Sequence, residues 1–378
     1  MPSLCKILDP RNLDIWKWCD RLFDPYPFVR PFLFLLDPEV AHEVTLKMLS
    51  YGLGPQFHGP DDPILASKLF DLSFPNIISL GAGLDKQATC MDAFMGFGFG
   101  SIELGTVTPL PQPGNPKPRM FRVAKAKALI NRFGFNSVGV ARFVERMKTW
   151  RAMEERTHNP IGINIGKNKA TTEDVVDYLI GLEKVAAYAD YVTVNISSPN
   201  TPGLRALQSR ERLAALLKSL TDKRDAVRPG LPLLVKIAPD LSDEELADIA
   251  AVAQESAIQG LIVSNTTIER PSTLPEAVAQ EAGGLSGPLL FDLSTRVLAK
   301  MYKLMDGKMP LIGCGGVSSG EEAYAKIRAG ASMVQVYTAL VFEGPLVVQK
   351  IKRDLAALLR RDGFEHVSEA VGADHKEA

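Results

Sequence analysis

The stretch Val192-Thr193-Val194-Asn195-Ile196-Ser197-Ser198-Pro199-Asn200-Thr201-Pro202-Gly203-Leu204-Arg205 changes character partway along. Apart from Asn195, the residues from Val192 to Ile196 are apolar or β-branched and read as a short buried strand. From Ser197 on, the chain is dense in hydroxyls, carboxamides, Pro and Gly, which is loop chemistry. Catalytic groups gather where a rigid strand delivers polar side chains to a loop. A hydroxyl, Ser198, flanked by the carboxamides of Asn195 and Asn200 with no acid or His nearby, suits recognition of a planar polar ligand plus one proton transfer. Alone, SSPN would read as an Asn/Pro turn closing a strand, so the neighbouring segments decide.

The same strand-then-polar-loop pattern repeats from Pro75 onward. The apolar runs read as strands are Ile77–Leu80, Ser101–Val107, Ile161–Ile165, Val192–Ile196, Leu233–Ile237, Leu261–Ser264, Leu311–Cys314 and Met333–Val336. Helical periodicity succeeds most of them, at Val138–Glu155, Thr172–Ala187, Arg210–Arg228, Asp243–Ser256, Glu321–Ala329 and Pro345–Arg361. Eight strands, most with a helix after them, predict an α/β chain folded as a (β/α)8 TIM barrel rather than an open sheet. The stretch Glu269–Asp292 is longer than a simple connection and is expected to make an irregular excursion before its helix.

In such a barrel the chemistry sits at the C-terminal ends of the strands. Here those ends read Gly81-Ala82-Gly83-Leu84-Asp85-Lys86, Gly105-Thr106, Asn164, Asn195 with Ser198, Lys236, Ser264-Asn265-Thr266, Gly313-Cys314-Gly315-Gly316 and Tyr337-Thr338. One polar end is a turn; eight in a row point to a site. Glycine clusters leave backbone N–H groups open to a phosphate, and barrels commonly bind phosphate at the loops after strands seven and eight. By that rule Gly315, Gly316, Tyr337 and Thr338, with Gly287 from the second cluster Gly283–Gly287, form a phosphate site. No GxGxxG opens a helix after the first strand, which disfavours a dinucleotide of the Rossmann type. Lys236 ends a buried-looking strand and needs a negative partner, either an acid across the barrel or a ligand.

Length and composition set wider bounds. At 378 residues, 46% hydrophobic and a formal net charge of -1, the chain suits one large barrel plus a small appendage and gives no reason to expect nucleic acid. Its four cysteines and five histidines are scattered, with neither CxxC nor HxxxH, so no disulfide framework and no metal site is indicated. No apolar run approaches the roughly 20 residues of a membrane-spanning helix. Ahead of the barrel, Asn12–Phe23 has the spacing of an amphipathic helix, and Phe28–Leu36 is apolar nearly all round. Asp37-Pro38-Glu39 then caps a helix running to Gly52. An aromatic-rich helical pair of this kind packs on its neighbour or presents its surface to lipid or a partner.

The segment Asn195–Arg205 resembles the active-site segment of class 2 dihydroorotate dehydrogenases, flavin enzymes of pyrimidine synthesis that pass electrons to a quinone, and the resemblance covers almost the whole chain from Tyr26 onward. It implies oxidation of dihydroorotate to orotate by FMN. Ala82, Gly83, Thr106, Asn164, Asn195, Lys236 and Ser264 match the family's flavin contacts, with Lys236 at the N1/O2 edge of the isoalloxazine, and Gly287, Gly315, Gly316, Tyr337 and Thr338 match its phosphate site. For the substrate it implies Lys86, Asn195, Asn200, Asn265 and Thr266, with Asn131, Arg132, Phe133, Gly134 and Phe135 in a wall that runs to Asn136. Ser198 would take the proton from C5 as a hydride leaves C6, a Ser where class 1 enzymes place Cys. The resemblance makes residues 1–54 a helical quinone-access domain at a membrane surface, mitochondrial inner or bacterial cytoplasmic, and residues 55–378 the FMN barrel, with His42 and Arg122 lining a quinone tunnel. Two other readings stay open: a related FMN barrel that acts on another pyrimidine-like ring or delivers electrons to fumarate or NAD, and a flavin-free barrel acting as a membrane-surface binding protein.

Overall fold

A computed structural model describes residues 24–57, 59–153 and 158–376; the helix expected at Asn12–Phe23 lies outside the described residues. The core is a closed barrel of eight parallel strands. In spatial order these are β3 (Ile78–Leu80), β4 (Ser101–Val107), β7 (Ile161–Ile165), β8 (Tyr191–Asn195), β9 (Leu233–Ile237), β10 (Gly260–Val263), β12 (Leu311–Cys314) and β13 (Ala331–Val336). The ring closes where Val336 of β13 pairs with Leu80 of β3. Every strand expected from the sequence is present within two residues of its bounds, and the fold is a (β/α)8 barrel.

Strands sandwiched between a filled interior and a layer of helices are buried on both faces and are therefore short, near-continuous apolar runs. All seven residues of β4 and all five of β7, β8 and β9 are buried. The outer helices α4 (Val140–Arg151), α5 (Asp174–Val185), α6 (Arg210–Val227), α7 (Asp243–Glu255), α9 (Phe291–Leu304), α10 (Gly320–Arg328) and α12 (Val347–Arg361) turn apolar stripes onto that cylinder. Two shorter helices, α3 (Met91–Gly96) after β3 and α11 (Thr338–Glu343) after β13, complete the layer.

The two ends of the barrel are closed differently. At the N-terminal end a hairpin, β1 (Ser67–Leu69) and β2 (Leu72–Phe74), brings Leu69, Phe70, Leu72 and Phe74 against inward-facing Tyr191, Leu234, Ile262, Ile312 and Met333. At the C-terminal end a three-stranded antiparallel sheet forms from β5 (Met120–Val123), β6 (Ala128–Asn131) and β11 (Gly284–Ser286). The excursion expected at Glu269–Asp292 resolves into a four-residue helix α8 (Glu276–Ala279), the strand β11 and a 3-10 turn at Pro288–Leu290 before α9. Neither the hairpin nor this sheet is legible in the apolar periodicity, because each strand is only three or four residues long.

Among the described residues two helices precede the barrel, α1 (Tyr26–Leu35) and α2 (Pro38–Ser50). The carboxylate of Asp37 caps α2 by accepting from the N–H groups of Glu39 and Val40, with Pro38 at the first helical position. The pair docks beside the C-terminal mouth. Tyr26 donates to the Val341 carbonyl at 2.6 Å, Arg30 to the Phe342 carbonyl at 2.7 Å, and Phe34 meets Phe342 edge-on. From α2, Glu39 receives three hydrogen bonds from Arg119 at 2.8 to 3.2 Å, with both side chains under a tenth exposed. The pair also presents apolar side chains outward: Phe32, Leu35, Tyr51 and Leu53 are all exposed. No helix among the described residues is long and apolar enough to cross a membrane.

Removing one partner of a buried ion pair leaves the other charge uncompensated, at a cost of about 3–5 kcal/mol. Arg119→Met is therefore expected to lower unfolding stability by that order in a urea titration, and Glu39→Gln by less because the amide still accepts from the guanidinium. An Arg119→Met protein as stable as the parent would show that α2 is held by its apolar contacts alone.

Candidate active site

The C-terminal mouth of the barrel opens into one cavity of about 1280 Å3, open solvent included. Its wall is made of strand ends, its roof of β6 and β11, and one flank of the loop after β8 that carries Ser198.

The floor is a polar network. Thr106 donates to the Asn164 side-chain oxygen at 2.5 Å, and the Asn195 amide reaches Thr106 Oγ1 at 3.0 Å and Asn164 Oδ1 at 3.2 Å. Beneath them the fully buried carboxylate of Glu103 accepts from Asn164, Gln335, Thr193 and Tyr191. Asn265 donates to Ser197 Oγ at 2.9 Å, and Ser197 Oγ in turn donates to Asn195 Oδ1. The carboxamides thus hold one another in fixed orientations, leaving their remaining donors and acceptors for a ligand.

The loop after β8 is pinned from outside. Arg205 donates to the carbonyls of Ser197 and Thr266 and pairs with Asp240 at 2.8 Å, which ties the loops after β8, β9 and β10 into one body. Ser198 is nearly buried, and its Oγ accepts from the Asn200 N–H at 3.3 Å. Asn200 bonds the Asn131 carbonyl at 3.1 Å, and Asn115 bridges the Asn200 and Arg132 carbonyls. The Ser198 loop and the Asn131–Asn136 wall therefore move together. Among the described residues no carboxylate or imidazole hydrogen-bonds Ser198.

Lys127 at the cavity edge pairs with Glu343 at 2.6 Å, whereas two deeper lysines have no acid paired with them. Lys86 donates to Asn136 Oδ1 at 3.0 Å and lies 3.5 Å from the centre of the Phe133 ring. Burial lowers its pKa to about 7, with the Arg119 charge adding to the effect and Glu39 opposing it. His42, on α2, packs at a tilt against Phe133, their ring centres 6.5 Å apart; burial, with help from Lys86, brings its pKa down to about 4, so it is neutral. Lys236 at the end of β9 is 5% exposed, lines the cavity, and has no hydrogen bond or ion pair among the described residues.

At the opposite flank, Gly287, Gly315, Gly316, Tyr337 and Thr338 come together, with Thr338 donating to Ser286 Oγ at 2.9 Å. Gly315 and Gly316 have φ of +119° and +80°, and a Cβ on Gly316 would come within 2.6 Å of Phe291 backbone and side chain. Only glycine lets the chain turn here with its amides accessible. A phosphorylated planar cofactor beside a small polar ring is what such a cavity can hold: amides for the phosphate, carboxamides for ring edges, a buried ammonium for charge.

Of the residues singled out from the sequence, Ala82, Gly83, Lys86, Thr106, Asn131, Phe133, Gly134, Phe135, Asn195, Ser198, Asn200, Lys236, Ser264, Asn265, Thr266, Gly287, Gly315, Gly316, Tyr337 and Thr338 line this one cavity. Asn164 lies one layer behind it. Arg132 turns away, paired with Glu281 at 2.5 Å and stacked over Phe121, so its part in the wall is structural. Arg122 reaches toward α1, donating to the Phe34 carbonyl at 3.1 Å with its guanidinium 4.1 Å from the Phe34 ring. Ser286, Ser318, Lys127 and Gln335 also line the cavity and were not singled out. Gln335, a polar residue inside the apolar strand MVQV, carries a signal, and Ser286 sits within the glycine cluster Gly283–Gly287; Lys127 and Ser318 sit in stretches that read as ordinary loop.

A model of the dihydroorotate dehydrogenase family matches residues 64–359. The chain is 48% identical over 385 residues to the mitochondrial dihydroorotate dehydrogenase (quinone) of Oryza sativa subsp. japonica, covering 95% of this chain and 82% of the relative. It is 51% identical over 352 residues to the dihydroorotate dehydrogenase (quinone) of Parvibaculum lavamentivorans, covering 93% and 99%. Among solved structures, the ligand-free DHODH of Eimeria tenella superposes with a TM-score of 0.85 at 42% identity, covering 90% of this chain and 99% of that one.

Proposed function

Because the chain belongs to the dihydroorotate dehydrogenase family, we propose that its cavity holds FMN beside dihydroorotate, with Ser198 as the base that starts the reaction. The protein is an enzyme that oxidises dihydroorotate to orotate in pyrimidine biosynthesis, with a flavin as redox group and a quinone as electron acceptor. The observation that carries the assignment of residues is that Ser198, Lys86, Lys236 and the Gly315–Gly316 turn all line one cavity.

The residues present fit FMN. Lys236 is a nearly buried cation with no protein counter-ion among the described residues, as the N1/O2 edge of a reduced isoalloxazine requires, and the glycine pair at the far flank suits a phosphate. Ala82, Gly83, Thr106, Asn195 and Ser264 complete the ring site, and Asn164 orients Thr106 and Asn195 from behind. Bound there, the flavin supplies a hydride acceptor for C6 of dihydroorotate.

The remaining work belongs to side chains. Ser198 takes the proton from C5. A serine hydroxyl is a weak base, so the proton must move on through water or a neighbouring hydroxyl. Asn131, Asn195, Asn200 and Asn265 each present a donor and an acceptor to the alternating edges of the pyrimidine ring, with Thr266 beside them. Lys86 meets the substrate carboxylate, and the rigid wall Phe133-Gly134-Phe135 excludes water. His42 and Arg122, between the helix pair and β5, line the quinone's approach. The exposed apolar surface of α1 and α2 rests on a membrane as a peripheral contact, mitochondrial inner or bacterial cytoplasmic, with residues 1–54 as the access domain and 55–378 as the FMN barrel.

Anaerobic titration of the purified yellow protein with dihydroorotate is expected to bleach the flavin band, and a quinone analogue to restore it. In Ser198→Ala the flavin stays bound while bleaching slows by about 10²–10⁴-fold, the usual contribution of general base catalysis. Ser198→Cys recovers part of the rate, least at low pH because the thiolate is the competent form. Unchanged bleaching in Ser198→Ala would remove Ser198 from the mechanism. A colourless protein that takes up no added FMN would overturn the whole assignment.

The lowered pKa of Lys86 sets a pH dependence. The ammonium is present below about 7 and lost above it. Orotate affinity is therefore expected to hold at acidic pH and to fall by up to about tenfold per pH unit beyond neutrality. Lys86→Met should bind weakly with a flat profile; a flat profile in the parent would detach Lys86 from carboxylate recognition. Deleting the residues before Pro55 should impair quinone reduction far more than reduction of a soluble dye by the same flavin. Equal losses with both acceptors would count against quinone delivery by the helix pair.

A further inference from the structure

One buried charge lies just outside the cavity. Lys326, on α10, is completely buried beneath the Gly313-Cys314-Gly315-Gly316 turn. Its Nζ donates to Ser294 Oγ at 2.6 Å and lies 5.2 Å from the centre of the Phe291 ring, and it forms no ion pair among the described residues. A Cβ placed on Gly313 would come 3.3 Å from Lys326 Cδ, which sets the aliphatic stem against the end of β12.

The two residues that Lys326 touches are the two that support the glycine pair. Ser294 Oγ lies 3.1 Å from the Gly315 carbonyl and 3.0 Å from the Phe291 carbonyl, either of which can accept its one proton, and a Cβ on Gly315 would come 2.8 Å from Ser294 Oγ. Phe291 is what a Cβ on Gly316 would strike. Because Lys326 fills one lone pair of Ser294 Oγ, the Ser294 proton points away from the ammonium, toward the Gly315 or the Phe291 carbonyl. Holding the Gly315 carbonyl from below turns the amides of the pair toward the cavity.

A buried ammonium with no acid beside it is costly, and proteins retain one where a ligand supplies the opposite charge. Desolvation draws the Lys326 pKa down to about 7, with Cys314, Glu322 and Asp292 pulling it back up. We propose that Lys326 is a positioning residue for the cofactor's phosphomonoester: through Ser294 it fixes the Gly315–Gly316 amides, and its charge acts on the phosphate from beneath the turn. This rests on the assignment of that turn to the FMN phosphate.

The test compares FMN with riboflavin, which differs only in lacking the phosphate. Full-chain protein loaded with either flavin is diluted, and the fluorescence of released flavin gives both dissociation constants. The parent should prefer FMN strongly. Lys326→Met should lose that preference by roughly ten- to a hundredfold, the size of one charge-assisted interaction, with riboflavin affinity nearly unchanged. Ser294→Ala keeps the charge but releases the Gly315 carbonyl, and should lose several-fold; it carries the test if Lys326→Met does not fold. A preference undiminished in the variants overturns the role of Lys326 while leaving the phosphate site in place. A parent that binds riboflavin as tightly as FMN overturns the phosphate assignment itself.

Discussion

The carboxylate of Glu103 is the pivot of the molecule. It sits on β4 inside the barrel with no exposure and accepts hydrogen bonds from β7, β8 and β13 through Asn164, Thr193, Tyr191 and Gln335. A buried carboxylate is tolerated only if its lone pairs are filled, so these four side chains are not free to choose other rotamers. Asn164 then has one amide hydrogen committed to Glu103 and its oxygen committed to Thr106 and Asn195. The orientation of the cavity floor is set in the layer below it. The apolar layer lower still, closed by Phe74 and the hairpin, keeps water from competing for Glu103.

How much of this the sequence reveals depends on whether an element is defined locally. The eight strands are local features: each is a short apolar run because it is buried on both faces, and each ends in polar or glycine residues because only its C-terminal end meets a ligand. Ser198, Lys236 and the Gly315–Gly316 turn come directly from that. The sheet β5–β6–β11 is different, since Gly284 pairs with Asn131 across more than a hundred intervening residues and neither three-residue nor four-residue strand has a period of its own. Glu103 and Gln335 were signalled, as polar residues in SIELGTV and MVQV, yet a polar residue in a strand does not name its partners. Lys326 carried no signal at all. In AYAKIRAG it reads as a solvated helix lysine, and only the packing of α10 against α9 and β12 removes it from water.

Phe133 shows how the two ends of the reaction path share material. Lys86 lies over its ring at 3.5 Å, the Arg119 guanidinium lies 5.2 Å from its centre, and His42 approaches from α2. Arg119 is the residue that anchors α2 through Glu39. The same guanidinium therefore docks the helix pair and, by its charge, helps hold Lys86 near neutrality and poised for a carboxylate. Helix α2 is thus tied to the wall that carries Phe133, and a shift of α2 acts on Lys86 through Arg119.

The pattern of charge compensation separates structure from function. Where cations are buried elsewhere in the chain, acids accompany them: Arg119 with Glu39, Lys352 with Asp61, Lys167 with Asp174, Arg224 with Asp225. Around the cavity Lys127 keeps its acid, Glu343, but three other lysines break the rule. Lys86, Lys236 and Lys326 have no ion-pair partner among the described residues, and each stands where the proposed assignment puts negative charge: a substrate carboxylate, a reduced ring, a phosphate. Acids in those places would satisfy the lysines permanently and repel the ligands they are there to receive. On the proposed assignment, binding of anionic ligands favours the charged form of these lysines and adds to the stability of the barrel. Affinity for the cofactor and stability of the barrel are, on this account, two readings of the same three charges.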